Sequence, residues 1–247
     1  MNLSYYDFLA EDYNHKRQKP WKALQEFLTH IDTENWDISQ VCLDIGCGNG
    51  RNFPLISSIS NQIIGIDNSI ELLKIARKNI ANQMNNPETR KRPIQLILSS
   101  ISSIPIRSKI IDGAFIVAVI HHIKGTKNRK SIINQIYEII KINGWVIVSV
   151  WRKYQKKYRW YFIKDLIKRI ISSKYRNSQK RAGLVEFGDK SVPWTLSKEG
   201  KTYLRFYHFF SFKEAKCLMN HFKIVEMNKI GGPGKKDNFF FLLKKTN

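Results

Sequence analysis

Val41-Cys42-Leu43-Asp44-Ile45-Gly46-Cys47-Gly48-Asn49-Gly50 is the stretch that decides the fold of this 247-residue chain. It predicts a buried strand that runs into a turn with glycine at alternate positions. A second predicted strand, residues 62–67, ends in Asp67. Glycine reaches positive φ and lets a ligand lie against the main chain, and an acid at the end of the next strand can bind ribose hydroxyls. The two strands therefore predict a nucleoside-binding crevice at the carboxyl edge of a parallel sheet.

The spacing of the glycines distinguishes between two classes of nucleoside cofactor. A dinucleotide fingerprint would require glycine at position 51, which is Arg51 here. Asp44, Gly46, Gly48 and Gly50 instead follow the Asp-x-Gly-x-Gly-x-Gly pattern of enzymes that use S-adenosyl-L-methionine (SAM), which carries no pyrophosphate. We therefore expect SAM as cofactor, with Asp44 orienting its amino group directly or through water, the three glycines lying under it, and Asp67 on the ribose. A helix-capping role is the alternative for Asp67.

Strands and helices are expected to alternate through the first 151 residues. Strands are predicted at 41–45, 62–67, 94–98, 112–120 and 145–151, and helices at 51–59, after a cap at Asn68 or Ser69, and at 127–142. This alternation favours right-handed βαβ units in a parallel sheet. A helix at 211–221 then precedes strands at 222–230 and 238–244, which form a hairpin, so one of them must run antiparallel.

The predicted fold is thus α/β and Rossmann-like, with a mostly parallel seven-stranded sheet, helices on both faces and a C-terminal antiparallel hairpin. We expect one domain, 1–247, with an N-terminal helical extension, 1–38, that breaks at Lys19-Pro20-Trp21 because Pro20 disfavours helix before it. A polar loop is expected at 82–93. The basic segment 152–205 is interpreted as a substrate-binding insertion.

The charge of the chain indicates a polyanionic partner. The formal net charge is +22, and residues 151–205 contain sixteen Lys or Arg against four acids. A general bias of composition would spread the charge evenly along the chain, so this concentration favours a nucleic-acid partner. A solvated basic face without a ligand is the alternative. Within it, Tyr158 to Ile171 predicts a helix with one apolar face and most of its lysines and Arg169 opposite. That face is formed by Trp160, Tyr161, Ile163, Leu166, Ile167 and Ile170.

Several classes of protein are disfavoured. No apolar run approaches the ~20 residues of a membrane span, and the first residues lack the blocks of a signal peptide. Cys42, Cys47 and Cys217 form no metal-ligand pair and are interpreted as reduced thiols. We therefore expect a cytoplasmic protein with neither a metal site nor a membrane partner.

Five motifs, in order and spanning nearly the full chain, resemble a known family. They are Arg17-Gln18-Lys19-Pro20-Trp21, Leu43 to Gly50, Ala118-Val119-Ile120-His121-His122, Val148-Ser149-Val150-Trp151 and Arg205-Phe206-Tyr207-His208; Val192-Pro193-Trp194 is a weaker sixth. Together they resemble the class I SAM-dependent methyltransferases, and more closely those that esterify 5-carboxymethyluridine at the tRNA wobble position. The glycine motif is general to such methyltransferases, whereas the Lys-Pro-Trp and Ile-His-His motifs point to the wobble-uridine group.

This resemblance implies the acceptor, the partners and the remaining site residues. The partners are the anticodon stem-loop of tRNA and a small zinc-binding activator protein that forms a heterodimer with the methyltransferase. A carboxylate acceptor is ionised at neutral pH, so the site must hold an anion rather than remove a proton. Catalytic roles are assigned to Arg17, His121, His122, Tyr207 and His208, and substrate binding to Lys19, Trp151, Arg152 and Arg205.

Other interpretations of these residues stay open. Arg17 would hold the acceptor anion or an adjacent phosphate, or be a solvated helix charge. Trp151, Tyr207 and His208 would stack on an extruded base or serve core packing, and either histidine of His121-His122 could face the uridine. Trp21 and Trp194 are expected to be structural anchors.

The chain departs from the family after the third strand. Relatives usually carry an acid followed by Ala where this sequence has Ser100-Ile101, the position expected to meet the adenine amino group. Two other functions remain. Methyl transfer to a small molecule such as a lipid or quinone precursor fits the glycine motif equally well, and Ser100 leaves room for a non-catalytic RNA-binding subunit.

Overall fold

The computed structural model describes residues 5–31, 41–84 and 93–247. Seven strands form the main sheet: β1 (Val41–Ile45), β2 (Gln62–Asp67), β3 (Ile94–Leu98), β4 (Ile111–Val117), β5 (Ile140–Trp151), and, later in the chain, β8 (Lys223–Ile230) and β9 (Asn238–Lys244). Their order is β3-β2-β1-β4-β5-β9-β8. The first five are parallel, and β9 runs antiparallel to both β5 and β8. The predicted mostly parallel sheet with a C-terminal hairpin is confirmed.

Helices cover both faces of this sheet. One face carries α2 (Lys22–His30), α3 (Phe53–Ser57) and α4 (Ile70–Met84), and the other carries α5 (Thr126–Ile139) and α8 (Phe212–Leu218). The strands are apolar on both sides because each face is buried under helices. In β9, for example, Phe240 packs with Phe27 of α2 while Phe241 enters the opposite core.

The N-terminal extension divides where Pro20 predicted a break. Helix α1 (Ala10–Lys16) ends before it, and α2 begins at Lys22. Trp21 joins the two: its backbone N–H donates to Asn52 Oδ1 at 3.1 Å, and its ring packs on Phe240. The remainder of the predicted extension, residues 1–4 and 32–38, lies outside the described residues, as does most of the predicted loop at 82–93.

Several predicted boundaries were wrong. Strand β5 begins at Ile140 rather than 145, and α8 ends at Leu218 rather than 221. Strand β4 ends at Val117 rather than 120 because Ala118 adopts φ 61°, and Ile120–His122 form a turn of 3-10 helix. Helix α5 ends at Ile139 rather than 142, because Ile140 is extended, fully buried and paired with Ile111 of β4. Burial of Ile140 in the sheet outweighs continuation of the helical pattern.

The basic segment contains structure that the sequence did not predict. After α6 (Arg159–Ile171) comes α7 (Ser173–Arg181), and β6 (Asp189–Thr195) pairs antiparallel with β7 (Thr202–His208) in a separate ribbon. The apolar stripe predicted on α6 is present, but it does not face the core. Phe162 and Asp165 are the buried residues of this helix, and Arg169, expected on the lysine side, turns inward to Asp165 at 2.8 Å.

Packing of α5 against the sheet gives a test of the core. Replacing fully buried Ile136 with Ala should cost about 2–5 kcal/mol of unfolding free energy, since it removes three methyl or methylene groups and leaves a cavity. The same change at Ile142, which is exposed at the start of β5, should cost less than about 0.5 kcal/mol. Urea titration followed by circular dichroism measures both, and equal losses would contradict the placement of α5.

Candidate cofactor and substrate site

The glycine turn after β1 is fastened to the end of β2. The N–H groups of Gly46 and Cys47 donate to the Ile66 carbonyl at 2.7 and 3.0 Å, and the Gly48 N–H donates to Asp67 Oδ2 at 2.8 Å. The second Asp67 oxygen accepts from the Ser69 N–H at 2.9 Å, so Asp67 also stabilises the start of α4. Asp67 can therefore both cap the helix and bind a ribose, since each carboxylate oxygen keeps a further lone pair for a ligand.

The glycines of this turn serve different needs. Gly48 has φ 57°, and a Cβ added there would lie 3.6 Å from the Tyr13 ring, in the space that a ligand on the turn would use. Gly50 has φ 72°, and its Cβ would lie 2.4 Å from Phe53, so glycine is required there by packing. Gly48 lines the cavity described below and Gly50 does not.

Asp44 lies buried beneath the turn with one oxygen unsatisfied. Among the described residues, its Oδ2 has no hydrogen-bond partner. Burial, together with the neighbouring Asp67 carboxylate, raises the pKa of Asp44 to about 7, and Arg51 opposes this shift. A buried acceptor without a donor is costly, so this oxygen suits a cationic ligand group placed on the turn or a water molecule that bridges to one.

A cavity of about 1050 Å³ runs from this turn to the β6–β7 ribbon. Its walls bring together eleven of the predicted site residues: Arg17, Lys19, Gly46, Gly48, Asp67, Ile101, His121, His122, Trp151, Arg205 and Tyr207. They come from the carboxyl ends of β1 to β5, from the N-terminal segment and from β7. The crevice predicted at this edge of the sheet is thus one chamber, lined by the glycine turn and by aromatic and cationic groups.

Five predicted site residues do not line the chamber: Asp44 and Gly50, described above, and Ser100, Arg152 and His208. Ser100 is exposed, and its hydroxyl accepts the Ser102 N–H at 3.2 Å; Ser99 and Ile101 line the chamber beside it. The Arg152 guanidinium donates to the Tyr154 carbonyl at 3.2 Å.

His208 belongs to a buried network beneath the ribbon. Its Nδ1 lies 2.7 Å from Asp189 Oδ1 and its Nε2 2.9 Å from Glu214 Oε1. Glu186, Asp189 and His208 approach closely enough to surround a metal ion, but both ring nitrogens already contact carboxylates, and Arg129 pairs with Glu186. His208 therefore holds β7 against α8 in this structure.

Aromatic rings from the turn after β4, the end of β5 and β7 form one wall of the chamber. The rings of His121 and Tyr207 stack with centroids 5.1 Å apart and an interplanar angle of 15°. Trp151 lies 4.4 Å from Tyr207. Burial lowers the pKa of His121 well below its ordinary value, and its Nδ1 is buried without a hydrogen-bond partner among the described residues. A neutral ring with a free nitrogen can exchange a hydrogen bond with a polar ligand.

His122 sits between this wall and the N-terminal segment. Its ring lies 3.3 Å from the Tyr6 hydroxyl, and its Nδ1 lies 3.3 Å from the Phe206 carbonyl. Burial, with the nearby Arg205 charge, lowers the pKa of His122 to about 3. Both histidines are therefore neutral at physiological pH.

Two arginines line the chamber close to the Trp194 ring. The Arg205 guanidinium carbon lies 4.3 Å from the Trp194 ring and 5.1 Å from Tyr207. Its Nε is buried and has no hydrogen-bond partner among the described residues. Arg17 is exposed and lies 5.6 Å from Trp194, with its Nη1 donating to the Lys16 carbonyl.

Asp12 connects the N-terminal segment to the ribbon. Its Oδ2 accepts from Trp194 Nε1 at 2.7 Å and from Lys16 at 2.7 Å, while Oδ1 accepts the Ser197 N–H at 2.7 Å. These bonds hold α1 against the ribbon beside the chamber, where the Tyr13 ring stacks on Trp194. Trp194 is therefore an anchor, as predicted, and it also lines the chamber.

Sequence reasoning missed Tyr6, Asp12 and Tyr13. Tyr6 and Tyr13 line the chamber, yet they belong to no motif, and their contacts join residues more than a hundred positions apart. The acidic-aromatic composition of 5–13 was the one available signal, and composition alone does not place a helix over a cavity.

Comparison with known proteins agrees with this architecture. Residues 43–148 match the family model described as a methyltransferase domain. A SAM-dependent methyltransferase from Methanosarcina mazei superposes with a TM-score of 0.67 at 20% identity, over 89% of this chain and 97% of its own. The putative methyltransferase in a complex with the Haloferax volcanii Trm112 methyltransferase activator superposes at 0.62 with 10% identity, over the full length of both chains. Residues 43–148 therefore form a methyltransferase domain, the chain has the fold of class I SAM-dependent methyltransferases, and SAM is its cofactor.

Two proteins of similar sequence carry names that specify a substrate. The tRNA (carboxymethyluridine(34)-5-O)-methyltransferase of Arabidopsis thaliana is 28% identical over 151 residues, 61% of this chain and 32% of the relative. The protein of the same name from Schizosaccharomyces pombe is 25% identical over 210 residues, 83% of this chain and 80% of the relative. The chain therefore spans about a third of the first of these and most of the second.

The buried histidines predict an acid-sensitive site. Because the pKa of His122 is lowered in the fold, the unfolded chain binds its proton more tightly. The stability that neutral His122 contributes is complete above the ordinary value of 6.5 and is lost as pH falls toward about 3. Chemical denaturation across this range should show a shallower pH dependence for His122→Gln than for the natural chain. Equal slopes would contradict burial of the neutral ring.

Proposed function

We propose that this protein transfers the methyl group of SAM to the carboxylate of 5-carboxymethyluridine at the wobble position of a tRNA anticodon, giving the methyl ester. The observation that carries the proposal is the single chamber that joins the glycine turn to stacked aromatic rings and Arg205. The names of the Arabidopsis and fission-yeast relatives support the same acceptor.

The glycine turn that lines the chamber fits the cofactor. Gly48 leaves backbone open to a ligand, Asp67 presents a carboxylate at the end of β2, and Asp44 supplies a buried acceptor that lacks a donor. Asp67 would bind the ribose and Asp44 the amino group, directly or through water, while Ile101 offers an apolar contact beside the adenine. When bound, SAM supplies a methyl group already activated by a sulfonium. The protein has to align the acceptor and exclude water.

The aromatic and cationic groups of the chamber fit an anionic base. An ionised carboxylate needs no general base, which agrees with two histidines whose lowered pKa values make them weak proton acceptors. Arg205 would hold the carboxylate through its planar fork, since the Trp194 and Tyr207 rings restrict the guanidinium. His121 would add a hydrogen bond through its unpartnered nitrogen.

Flat side chains would hold the base. Enzymes that act on a nucleobase commonly extrude it and place it against aromatic groups. Trp151, His121 and Tyr207 form a compact cluster of rings that offers such a surface. Arg17 and Lys19, which are exposed on the rim, would meet the phosphates on either side of the extruded nucleotide.

The charge around the chamber supports a polyanionic substrate. Of the described residues that line it, seven are Lys or Arg and two are acids: Lys16, Arg17, Lys19, Lys22, Arg51, Lys157 and Arg205 against Asp67 and Asp237. An excess of cations attracts the phosphate backbone, so binding to tRNA should weaken steeply with added salt.

A small activator protein is proposed as partner. The support is the structural neighbour solved in a complex with a Trm112 methyltransferase activator, together with the family resemblance of the motifs. We propose that the activator binds zinc and forms a heterodimer with this chain. Equal activity and stability with and without the activator would refute this partner.

Activity is tested with labelled SAM and tRNA that carries 5-carboxymethyluridine, in the presence of the activator. We expect label in the ester, and a fall in kcat/KM of about 10–100-fold for Arg205→Lys, which retains the charge but loses the fork. Lys201→Ala, on the same ribbon but outside the chamber, serves as the control. Absence of transfer by protein that binds SAM would refute the acceptor, and full activity of Arg205→Lys would refute the role of that residue.

Cofactor affinity should depend on pH through Asp44. The pKa of this acid is raised to about 7 in the free protein, and a bound ammonium group would stabilise its charged form. SAM affinity should therefore be constant above pH 7 and fall by up to about tenfold per unit below it, because binding then releases a proton. Calorimetry should show no such decline for Asp44→Asn. An identical pH profile in both proteins would contradict the contact.

A further inference from the structure

Helix α6 turns its apolar face away from the rest of the protein. Trp160, Ile167, Ile170 and Ile171 are 65%, 51%, 69% and 74% exposed, and Leu166 is also exposed. Single exposed apolar residues are normal on protein surfaces, but a continuous set on one short helix marks an interaction site. We call these five residues the α6 face.

The orientation of the helix is determined by its opposite side. Phe162 is fully buried among Tyr207, Phe209 and Val192, and Asp165 is buried next to Arg169 and the Tyr175 hydroxyl. Arg169 also donates to the Leu184 and Val185 carbonyls, which holds the following loop against the helix. Rotation of α6 to bury its apolar face would break these bonds and expose Phe162 and a charged pair, so the face is exposed in the stable packing.

The groups beside this face are cationic. Between residues 159 and 181 the chain has eight Lys or Arg, of which Arg159, Lys164, Lys168, Lys174, Arg176, Lys180 and Arg181 are exposed. The one acid in that range, Asp165, is buried and paired. The occupant of the α6 face must therefore be both apolar and anionic.

The apolar surface and the flanking cations allow three possible occupants of the α6 face to be compared. A second copy of the chain would bring another net charge of +22 against the same cations. RNA would match the charge, but aliphatic side chains offer no stacking plane, and Trp160 is the one aromatic ring in the α6 face. An anionic phospholipid surface matches both, because acyl chains accept the aliphatic side chains while headgroups pair with the flanking Lys and Arg.

We propose that α6 is an interfacial helix that lies on anionic phospholipid bilayers, independently of the methyl-transfer reaction. With thirteen residues it is about 20 Å long, so it lies on a bilayer rather than crossing it. This agrees with the finding that none of the helices in the described ranges is long and apolar enough to cross a membrane. A convex helix also needs no complementary groove, whereas a protein partner would have to provide one. A membrane surface as partner is the opposite of what the sequence alone predicted.

The direct test is flotation of the full-length protein with vesicles. We expect it to float with phosphatidylcholine vesicles that contain phosphatidylserine, and to remain in the dense fraction with phosphatidylcholine alone or in high salt. Failure to float with the anionic vesicles would overturn the proposal whatever the enzymatic activity. Conversely, a protein that floats but methylates no tRNA would contradict only the proposed function.

Two variants distinguish binding through the α6 face from non-specific adsorption through exposed apolar residues. The triple change Trp160→Ser, Ile167→Ser, Ile171→Ser should weaken vesicle binding by at least about tenfold while leaving SAM affinity intact. The matched control is Ile110→Ser, Ile142→Ser, Val225→Ser, which removes three exposed apolar residues from other surfaces and should bind vesicles normally. Equal binding by both variants would overturn the proposal. Loss of tRNA binding in the α6 variant without loss of vesicle binding would instead assign the face to RNA.

Discussion

The parallel pairing of β1 with β2 on one side and β4 on the other is the constraint on which the site depends. Parallel strands finish at the same edge of a sheet, so the glycine turn, Asp67 and the two histidines meet there although they are distant in sequence. The bond from the Gly48 N–H to Asp67 then fastens the turn to the neighbouring strand. A cofactor would meet a surface that is already ordered.

The sheet edge supplies only half of the chamber. The rest comes from α1 and the β6–β7 ribbon, which meet through Asp12 and Trp194. His208 supports the ribbon from below through Asp189 and Glu214. Of the residues that would bind the acceptor, Trp151 and His121 lie at the sheet edge. Arg205 and Tyr207 lie on the ribbon, where they can differ between methyltransferases without disturbing the cofactor turn.

Charge is distributed in two ways over this molecule. Around the chamber, cations accompany aromatic rings, and Arg205 is restricted between Trp194 and Tyr207. On α6 and α7, cations accompany aliphatic side chains that nothing in the described chain covers. The same net charge would thus serve a concave site for an anionic base and a convex surface for a phospholipid bilayer, and the neighbouring side chains distinguish the two.

Local patterns were enough to predict the sheet, the hairpin and the cofactor, because the period of apolar residues and the glycine spacing are properties of short segments. The same patterns predicted where Pro20 divides the extension and which strand ends carry the site. They failed at Ile140, which has helical periodicity but pairs in the sheet, and at Arg169 of α6, which was expected on the lysine side and pairs with buried Asp165. The sequence by itself thus determined the fold class and the methyl donor. Only the tertiary structure decided that Ser100 and His208 lie outside the chamber, that Tyr6 and Tyr13 line it, and which face of α6 is exposed. Those outcomes depend on contacts between distant segments, and no local pattern contains them.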